Sequence, residues 1–550
     1  MSLTRRTFLL GSAAGAVAAS PLARALAAAR IQTASGPGDV VGKVTVGYQG
    51  WFAAPGDGAP INGWWHWAHD WGRAPDPNNN AIKSWPDMRE YARSYQTNFA
   101  PLRNGQPARL FSHYDQDTVD THFRWMQQYG IDTAALQRFN PFGGEGPTRD
   151  AMAAKVRQAA ERYQRKFYIM YDVTGWTQMH GQITADWRDK MSALTVSPAY
   201  ARQNGKPVVC IWGFGFDDPG RPFGAAECGD VVAWFKAQGC YVIGGVPTRW
   251  RTGDSVRPGF LDVFHQFDML SPWMIGVIGN IHDADGFFQS VNIADKTYCD
   301  ARGIDYQPCV LPGDLALGQR AHGNFMWRQF YNLAGLGVAG FYISMFDEYN
   351  EGNQIAKTAE TQNDVPANFN FAALNEDGIA CSSDYYLRLT GDGGRMLKGA
   401  RPLTPVRPTA PTIGSDAGVA TVLSLRSRVN NRYVAAESGG GAPLIANREA
   451  IGPWERFDMV DAGGGDVALL SHANAKFVTV DAAQTNALIA SRDEVGARER
   501  FCIELRPGGM AALRSRANER YVTATNEAKG PLAPTAVQVG GWELFDLLIS

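Results

Sequence analysis

Apolar residues along the first 400 positions come in short dense runs of β-branched and aromatic side chains. These are Lys43–Phe52, Ile131–Phe139, Phe167–Val173, Pro207–Phe214, Tyr241–Pro247, Phe267–Ile275, Tyr306–Leu311 and Gly340–Phe346. Each reads as a strand buried on both faces, because alternation with polar residues is almost missing. Helical periodicity fills most of the gaps, over Asp115–Tyr129, Arg149–Arg165, Asp230–Gln238, Phe287–Arg302 and Arg320–Leu336. Strands alternating with helices predict an α/β domain, and eight such runs predict a (β/α)8 TIM barrel over residues 38–398. In that fold the chemistry sits where strands end, so the residues closing each run become the candidates.

The last third of the chain has a different pattern. Ser427, Tyr433-Val434 and Phe457 recur as Ser471, Phe477-Val478 and Phe501, then as Ser515, Tyr521-Val522 and Phe545, at a constant step of about 44 residues. Three repeats of short strands with Gly-rich turns predict an all-β β-trefoil over 419–550, with the three Phe in its core. Leu425-Arg-Ser-Arg-Val-Asn-Asn-Arg-Tyr-Val434 and Ala446-Asn-Arg-Glu-Ala-Ile-Gly-Pro-Trp-Glu-Arg-Phe457 resemble the fascin-like trefoil. Residues 401–418, rich in Pro and Thr, read as an extended linker.

Residues 1–27 carry Arg5-Arg6-x-Phe8-Leu9, a weakly apolar Ala/Gly stretch and the small-residue site Ala25-Leu26-Ala27. This is the pattern of a removable export signal and resembles the twin-arginine type. It implies transient handling by the twin-arginine export machinery and a periplasmic or secreted mature protein. No later apolar run is long enough to anchor it in a membrane.

Lys and Arg number 52 against 54 Asp and Glu, which supplies no basic stripe for nucleic acid. Charged residues make up 19% and apolar residues 45%, enough for a large core. The seven cysteines are dispersed, with no CxxC pair; one bridge would join Cys228 and Cys240 at most. His66-x-x-His69-Asp70 lacks a third ligand at metal-site spacing, so no metal is expected. No phosphate loop or dinucleotide fingerprint indicates a cofactor. Tryptophan is the outlier: 14 of the 16 lie in the barrel region, five of them between Trp51 and Trp71. Trp125, Trp187, Trp234 and Trp327 fall in helical stretches and read as packing. The others mark flat surfaces on which sugar rings can stack.

The eighth run ends in Asp347-Glu348-Tyr349-Asn350-Glu351-Gly352-Asn353-Gln354-Ile355. Three carboxylates in five residues after a buried strand are expected to face a cavity. Their repulsion should raise at least one pKa, as a general acid needs. Paired carboxylates are what glycosidic-bond cleavage requires. This segment resembles the Asn-Glu-Trp-His-Glu-Gly-Thr-Gln-Ile stretch of glycoside hydrolase family 99, the endo-α-mannosidases. Gly63-Trp64-Trp65-His66-Trp67-Ala68-His69 is similar to a Trp/His segment of that family, and Val46–Phe52 to its first strand. The related family 71 is similar at greater distance.

The resemblance implies that Glu348 deprotonates the substrate 2-hydroxyl and that Glu351 is the acid/base at the leaving oxygen. Two departures stand out. Tyr349-Asn350 replaces the family's Trp-His, and Met170–Trp176 replaces its His-Ile-Glu-Pro-Tyr. Strand ends nominate further sugar contacts: Tyr48, Trp64, Trp65, His66, Trp67, His69, Tyr171, Asp172, Trp176, Trp212, Arg249, Trp250, Trp273, Asp314, Asp347 and Tyr349. The expected function is an exported glycoside hydrolase acting on a polysaccharide or glycan, with a trefoil that tethers it to polymer. Two alternatives stay open. One is an inverting α-glucan hydrolase using Asp347 or Asp172 with a glutamate; the other is a non-catalytic polysaccharide-binding protein.

Overall fold

The computed structural model describes residues 34–405, 407–412, 421–463, 466–506, 510–525 and 527–549. The expected export signal, residues 1–27, and the end of the Pro/Thr segment, 413–418, lie outside them. Every predicted apolar run contains a strand: β1 Lys43–Tyr48, β2 Thr133–Arg138, β3 Lys166–Asp172, β4 Lys206–Trp212, β5 Tyr241–Val246 and β6 Met269–Pro272. The seventh run supplies two short pieces, β7 Asp305–Tyr306 and β8 Cys309–Val310, and the eighth supplies β9 Gly340–Ile343. All nine are parallel, in the order β7-β6-β5-β4-β3-β2-β1-β9-β8. The sheet therefore curls until its two ends are separated along the chain by Gln307 and Pro308 alone. Every residue of β2 and β5 is buried, as double-sided covering requires.

Helices Gln116–Gln128, Gly146–Arg162, Ala225–Ala237 and Asn324–Leu336 occupy the predicted intervals. The last begins four residues later than its pattern because Ala321 and His322 take left-handed backbone angles, which no α-helix tolerates. A further helix, Tyr385–Leu397, packs on β1. That approach is close: a Cβ at Gly394 would stand 2.8 Å from Val44.

The segments after β1 and after β9 are long and have little regular structure, so they pack on each other. Lys83 N donates to Tyr349 O at 3.0 Å, Asp87 N to Lys357 O at 3.0 Å and Ala359 N to Trp85 O at 2.9 Å. A segment whose only sheet is the two-residue pairing of Tyr95–Gln96 with Arg109–Leu110 needs bulky apolar side chains to hold it. Trp65, Trp67 and Trp85 are fully buried there, with Trp67 stacked on Phe52 at 3.9 Å.

In the C-terminal region six antiparallel strands close on themselves. They are Thr421–Ser427, Phe457–Gly463, Asp466–Ser471, Phe501–Arg506, Met510–Ser515 and Phe545–Ile549, the last pairing back with the first. Three hairpins accompany the barrel: Arg432–Ala436 with Leu444–Arg448, Phe477–Asp481 with Ala487–Arg492, and Tyr521–Thr523 with Ala533–Ala536. Each carries a register shift at the same repeat position, after Tyr433, Phe477 and Tyr521. Phe457, Phe501 and Phe545 are fully buried in a core separate from that of the parallel sheet.

The two regions meet through charges. Arg401 Nη2 lies 2.6 Å from Asp458 Oδ2 and 2.9 Å from Asp392 Oδ1, and His472 Nε2 lies 2.7 Å from Asp458 Oδ1. The Pro/Thr segment is docked on the Tyr385–Leu397 helix: Arg388 Nη1 donates to Ala410 O at 2.9 Å and Ser382 N to Pro411 O at 3.0 Å. All seven cysteines are free thiols, Cys228 and Cys240 included.

Candidate functional site

Parallel pairing places the C-terminal ends of β1, β2, β3 and β9 side by side. Three successive residues after β1 tie the site together. Gln49 Nε2 donates to Glu348 Oε1 at 2.9 Å, while the Gln49 and Gly50 amides donate to Asp347 Oδ1 and Oδ2, each at 2.9 Å. Gly50 turns the chain with φ +59°, a conformation that suits glycine. Trp51 then faces a cleft.

Glu348 is 5% exposed, and its Oε2 has no protein partner. Burial, followed by the neighbouring charges of Glu351 and Asp347, pushes its pKa well above the ordinary glutamate range; the Gln49 hydrogen bond and Lys83 oppose that rise. Glu351 stands at the rim, exposed on its outer side. Its pKa is also raised by desolvation, with Lys83 lowering it and Asp314 raising it. Lys83 comes from the segment after β1, and its Nζ lies 2.6 Å from Asp314 Oδ2. Asp314 in turn nearly touches the Glu351 turn: a Cβ at Gly352, itself at φ +75°, would stand 2.8 Å from Asp314 Oδ1. Behind this turn the buried Arg320 donates Nη2 to Gly352 O and Gln354 O, both at 2.8 Å, and Nε to Gly313 O at 2.9 Å. One guanidinium thus fixes the loops that carry Glu351 and Asp314.

The segments that follow β1, β2 and β3 line a cleft of about 320 Å³ with Trp51, His66, Phe139, Asn140, Glu145, Arg149 and Thr174. His66 stacks on Trp51 at 3.9 Å, and its pKa falls to about 3 through burial and the nearby Arg149 charge, so the ring is neutral. Arg149 lies over the faces of Phe139 and Trp65 at 4.5 and 4.9 Å and pairs with Glu145 at 3.0 Å. The Nε1 of Trp51 and Nε2 of His66 have no protein partner. The cleft is thus walled by stacked aromatic rings, Trp51 between His66 and Phe139, and by the Arg149–Glu145 ion pair.

The residues nominated from the sequence fall in different surroundings. Asp347 does not face a cavity: its carboxylate is fully buried, and His113 Nε2 at 3.0 Å joins the two backbone amides as a third partner. It holds the turn that carries Gln49. Tyr48, Trp64, Trp65, Trp67, Tyr171, Trp176, Trp250 and Tyr349 are buried in the core. Their polar atoms are often engaged: Tyr48 Oη with His122 Nδ1 at 2.9 Å, Tyr171 Oη with Asp186 at 2.8 Å, Trp250 Nε1 with Asp295 at 2.9 Å, Tyr349 Oη with Lys357 O at 2.9 Å. Asp172 is buried and accepts from Thr174 N at 2.9 Å, and Asp314 is held by Lys83.

His66 lines the cleft. Trp212 and Trp273 are half-buried and meet edge to face at 5.3 Å, while His69 and Arg249 are exposed. Sequence reasoning did not nominate Gln49, Trp51, Lys83, His113, Arg149 or Arg320 as site residues. Gln49 and Trp51 stood within a run already singled out. Lys83, His113 and Arg320 had no local signal, since long-range packing alone brings them here.

No family model and no curated protein matches the chain. Among solved structures it is similar to the GH99 endo-alpha-mannosidase from Bacteroides thetaiotaomicron, at 14% identity and a TM-score of 0.48, over 66% of this chain and 98% of that one. It is also similar to the designed 3-fold symmetric protein ThreeFoil, at 18% identity and a TM-score of 0.22, over 23% of this chain and 97% of that one. An exo-beta-1,3-galactanase from Clostridium thermocellum is similar at 13% identity and a TM-score of 0.23, over 26% of this chain and 34% of that one.

Proposed function

We propose that the chain is an exported glycoside hydrolase of family 99 type that cleaves α-mannoside-like bonds in a polysaccharide or glycan. In this reading the curled parallel sheet is a (β/α)8 barrel and the C-terminal region a fascin-like β-trefoil that tethers the enzyme to its polymer. One observation carries the proposal. Glu348, hydrogen-bonded to Gln49 at the end of β1, keeps a buried, unpartnered Oε2 three residues before the exposed Glu351, and both carboxyls have raised pKa values.

The chemistry follows from those two environments. An α-mannoside has its 2-hydroxyl trans to the leaving group. Glu348, made more basic by burial, takes that hydroxyl proton; O2 attacks C1 from behind; the C1–O bond breaks; and Glu351 gives its proton to the departing oxygen. Water then opens the 1,2-anhydro sugar at C1, giving its proton to Glu351, while Glu348 returns its proton to O2. Gln49 orients the Glu348 carboxylate throughout.

The test is release of reducing ends from α-mannans, α-glucans and arabinans by the full chain and by Glu351→Gln. We expect release from an α-mannoside polymer by the unmodified chain and a loss of at least ~10³-fold in the variant. Undiminished release by Glu351→Gln, or none from any polymer, overturns the proposal.

A further inference from the structure

Two of the 16 tryptophans lie outside the barrel region, Trp454 and Trp542, and both are exposed, at 38% and 51%. They are 88 residues apart, two repeat steps, and occupy the same turn of the first and third repeats. The turn is built identically three times. Glu455, Glu499 and Glu543 are each buried and accept the amide of Gly452, Gly496 and Gly540 at 2.6, 2.8 and 2.8 Å. The residue before each glutamate is pushed outward: Trp454, Arg498 and Trp542. Fold maintenance therefore asks only for the Gly and Glu, and Arg498 shows that the outward position needs no indole.

Around Trp454 the surroundings are polar and ordered. The Arg448 guanidinium stands 5.9 Å from the ring and pairs with Glu437 at 2.9 Å, and Asn447 Nδ2 donates to Glu437 Oε1 at 2.9 Å. An exposed indole with Arg448 over its ring and this fixed fork of donors and acceptors beside it matches a pyranose ring, which has an apolar C–H face and an equatorial rim of hydroxyls. A second protein's apolar surface would want a contiguous patch instead.

We propose that the turns 452–455 and 540–543 are two carbohydrate-binding platforms, on which Trp454 and Trp542 stack against pyranose rings of one polysaccharide. The proposal rests on the reading of the chain as a polysaccharide-acting enzyme and assigns the tethering to named residues. A polymer repeats its ring many times, so two platforms on one rigid frame engage it together and the second contact is intramolecular.

The experiment is native affinity electrophoresis of the full chain in gels containing α-mannan, amylose or arabinan. It uses Glu351→Gln as the background, so that the polymer is not consumed. We expect retardation in at least one polymer, weakened roughly five- to tenfold by Trp454→Ala or Trp542→Ala and abolished by both together. Trp454→Phe should retain most of it, and Arg498→Ala all of it. The proposal is overturned by a double variant that migrates like its parent, or by no retardation in any of the three gels. Unchanged melting of the variants excludes misfolding as the cause of lost retardation. Hydrolysis of a short soluble α-mannoside reports on the barrel alone, so failure there and failure here are separable.

Discussion

Lys83 Nζ stands 2.6 Å from Asp314 Oδ2, joining a loop after β1 to the loop that follows β8, directly behind the turn of Glu351. It is the cation that holds down the pKa of both glutamates. Lys83→Met should therefore raise both. Glu348 must be ionised to act as base and Glu351 protonated to act as acid, so both limbs of the kcat/KM profile should move to higher pH. Lys83→Arg should restore the original profile. Unmoved limbs in Lys83→Met would show that the Asp314 pair absorbs the whole charge.

Gln49 tests the two limbs separately. Its hydrogen bond lowers the Glu348 pKa and is not among the influences on Glu351. Gln49→Leu should move the limb set by Glu348 to higher pH and displace the limb set by Glu351 less, through the charge coupling of the pair alone.

Glu348 also has a stability signature. Its folded pKa lies above the unfolded value near 4.3, so ionisation opposes folding. That sign means stability is highest below the unfolded pKa and declines as pH rises toward the folded pKa. Glu348→Gln removes the decline. At pH 7 the variant should be inactive yet more stable than its parent by about 0.5–2 kcal/mol, read by urea unfolding at pH 4 and pH 7. The difference should vanish at pH 4.

Asp458 has the opposite sign. Desolvation raises its pKa, but Arg395, His472 and Arg401 together outweigh it and leave the carboxyl depressed. Its contribution is present above the unfolded pKa near 3.9 and is lost as pH falls toward the folded value. Asp458→Asn should destabilise by about 3–5 kcal/mol at pH 7, because it strips a partner from the buried Arg401 guanidinium. Differential scanning calorimetry should then resolve the C-terminal transition from that of the parallel sheet.

The strand runs, the 44-residue repeat and the Asp347–Glu351 cluster were legible because each is local or periodic. A strand buried on both faces must be apolar throughout, and a repeated unit must repeat its core Phe. What each carboxylate does was not legible. Asp347 and Glu348 are neighbours in sequence, yet one is held by two backbone amides with His113 Nε2 3.0 Å away, and the other keeps an unpartnered oxygen.

Tryptophan divides in the same way. The count alone pointed to sugar stacking, whereas the structure buries Trp65, Trp67 and Trp85 as the core of a loop with little regular structure, leaves Trp51 at the cleft, and exposes Trp454 and Trp542. An indole serves packing and recognition equally well, and only its neighbours decide which. The sequence by itself determined the parallel and the antiparallel β regions and the strand end where the acidic cluster stands. Tertiary structure alone decided which carboxylate is free, because Gln49, Lys83, His113 and Arg320 reach the site across long sequence separations, which no local pattern encodes.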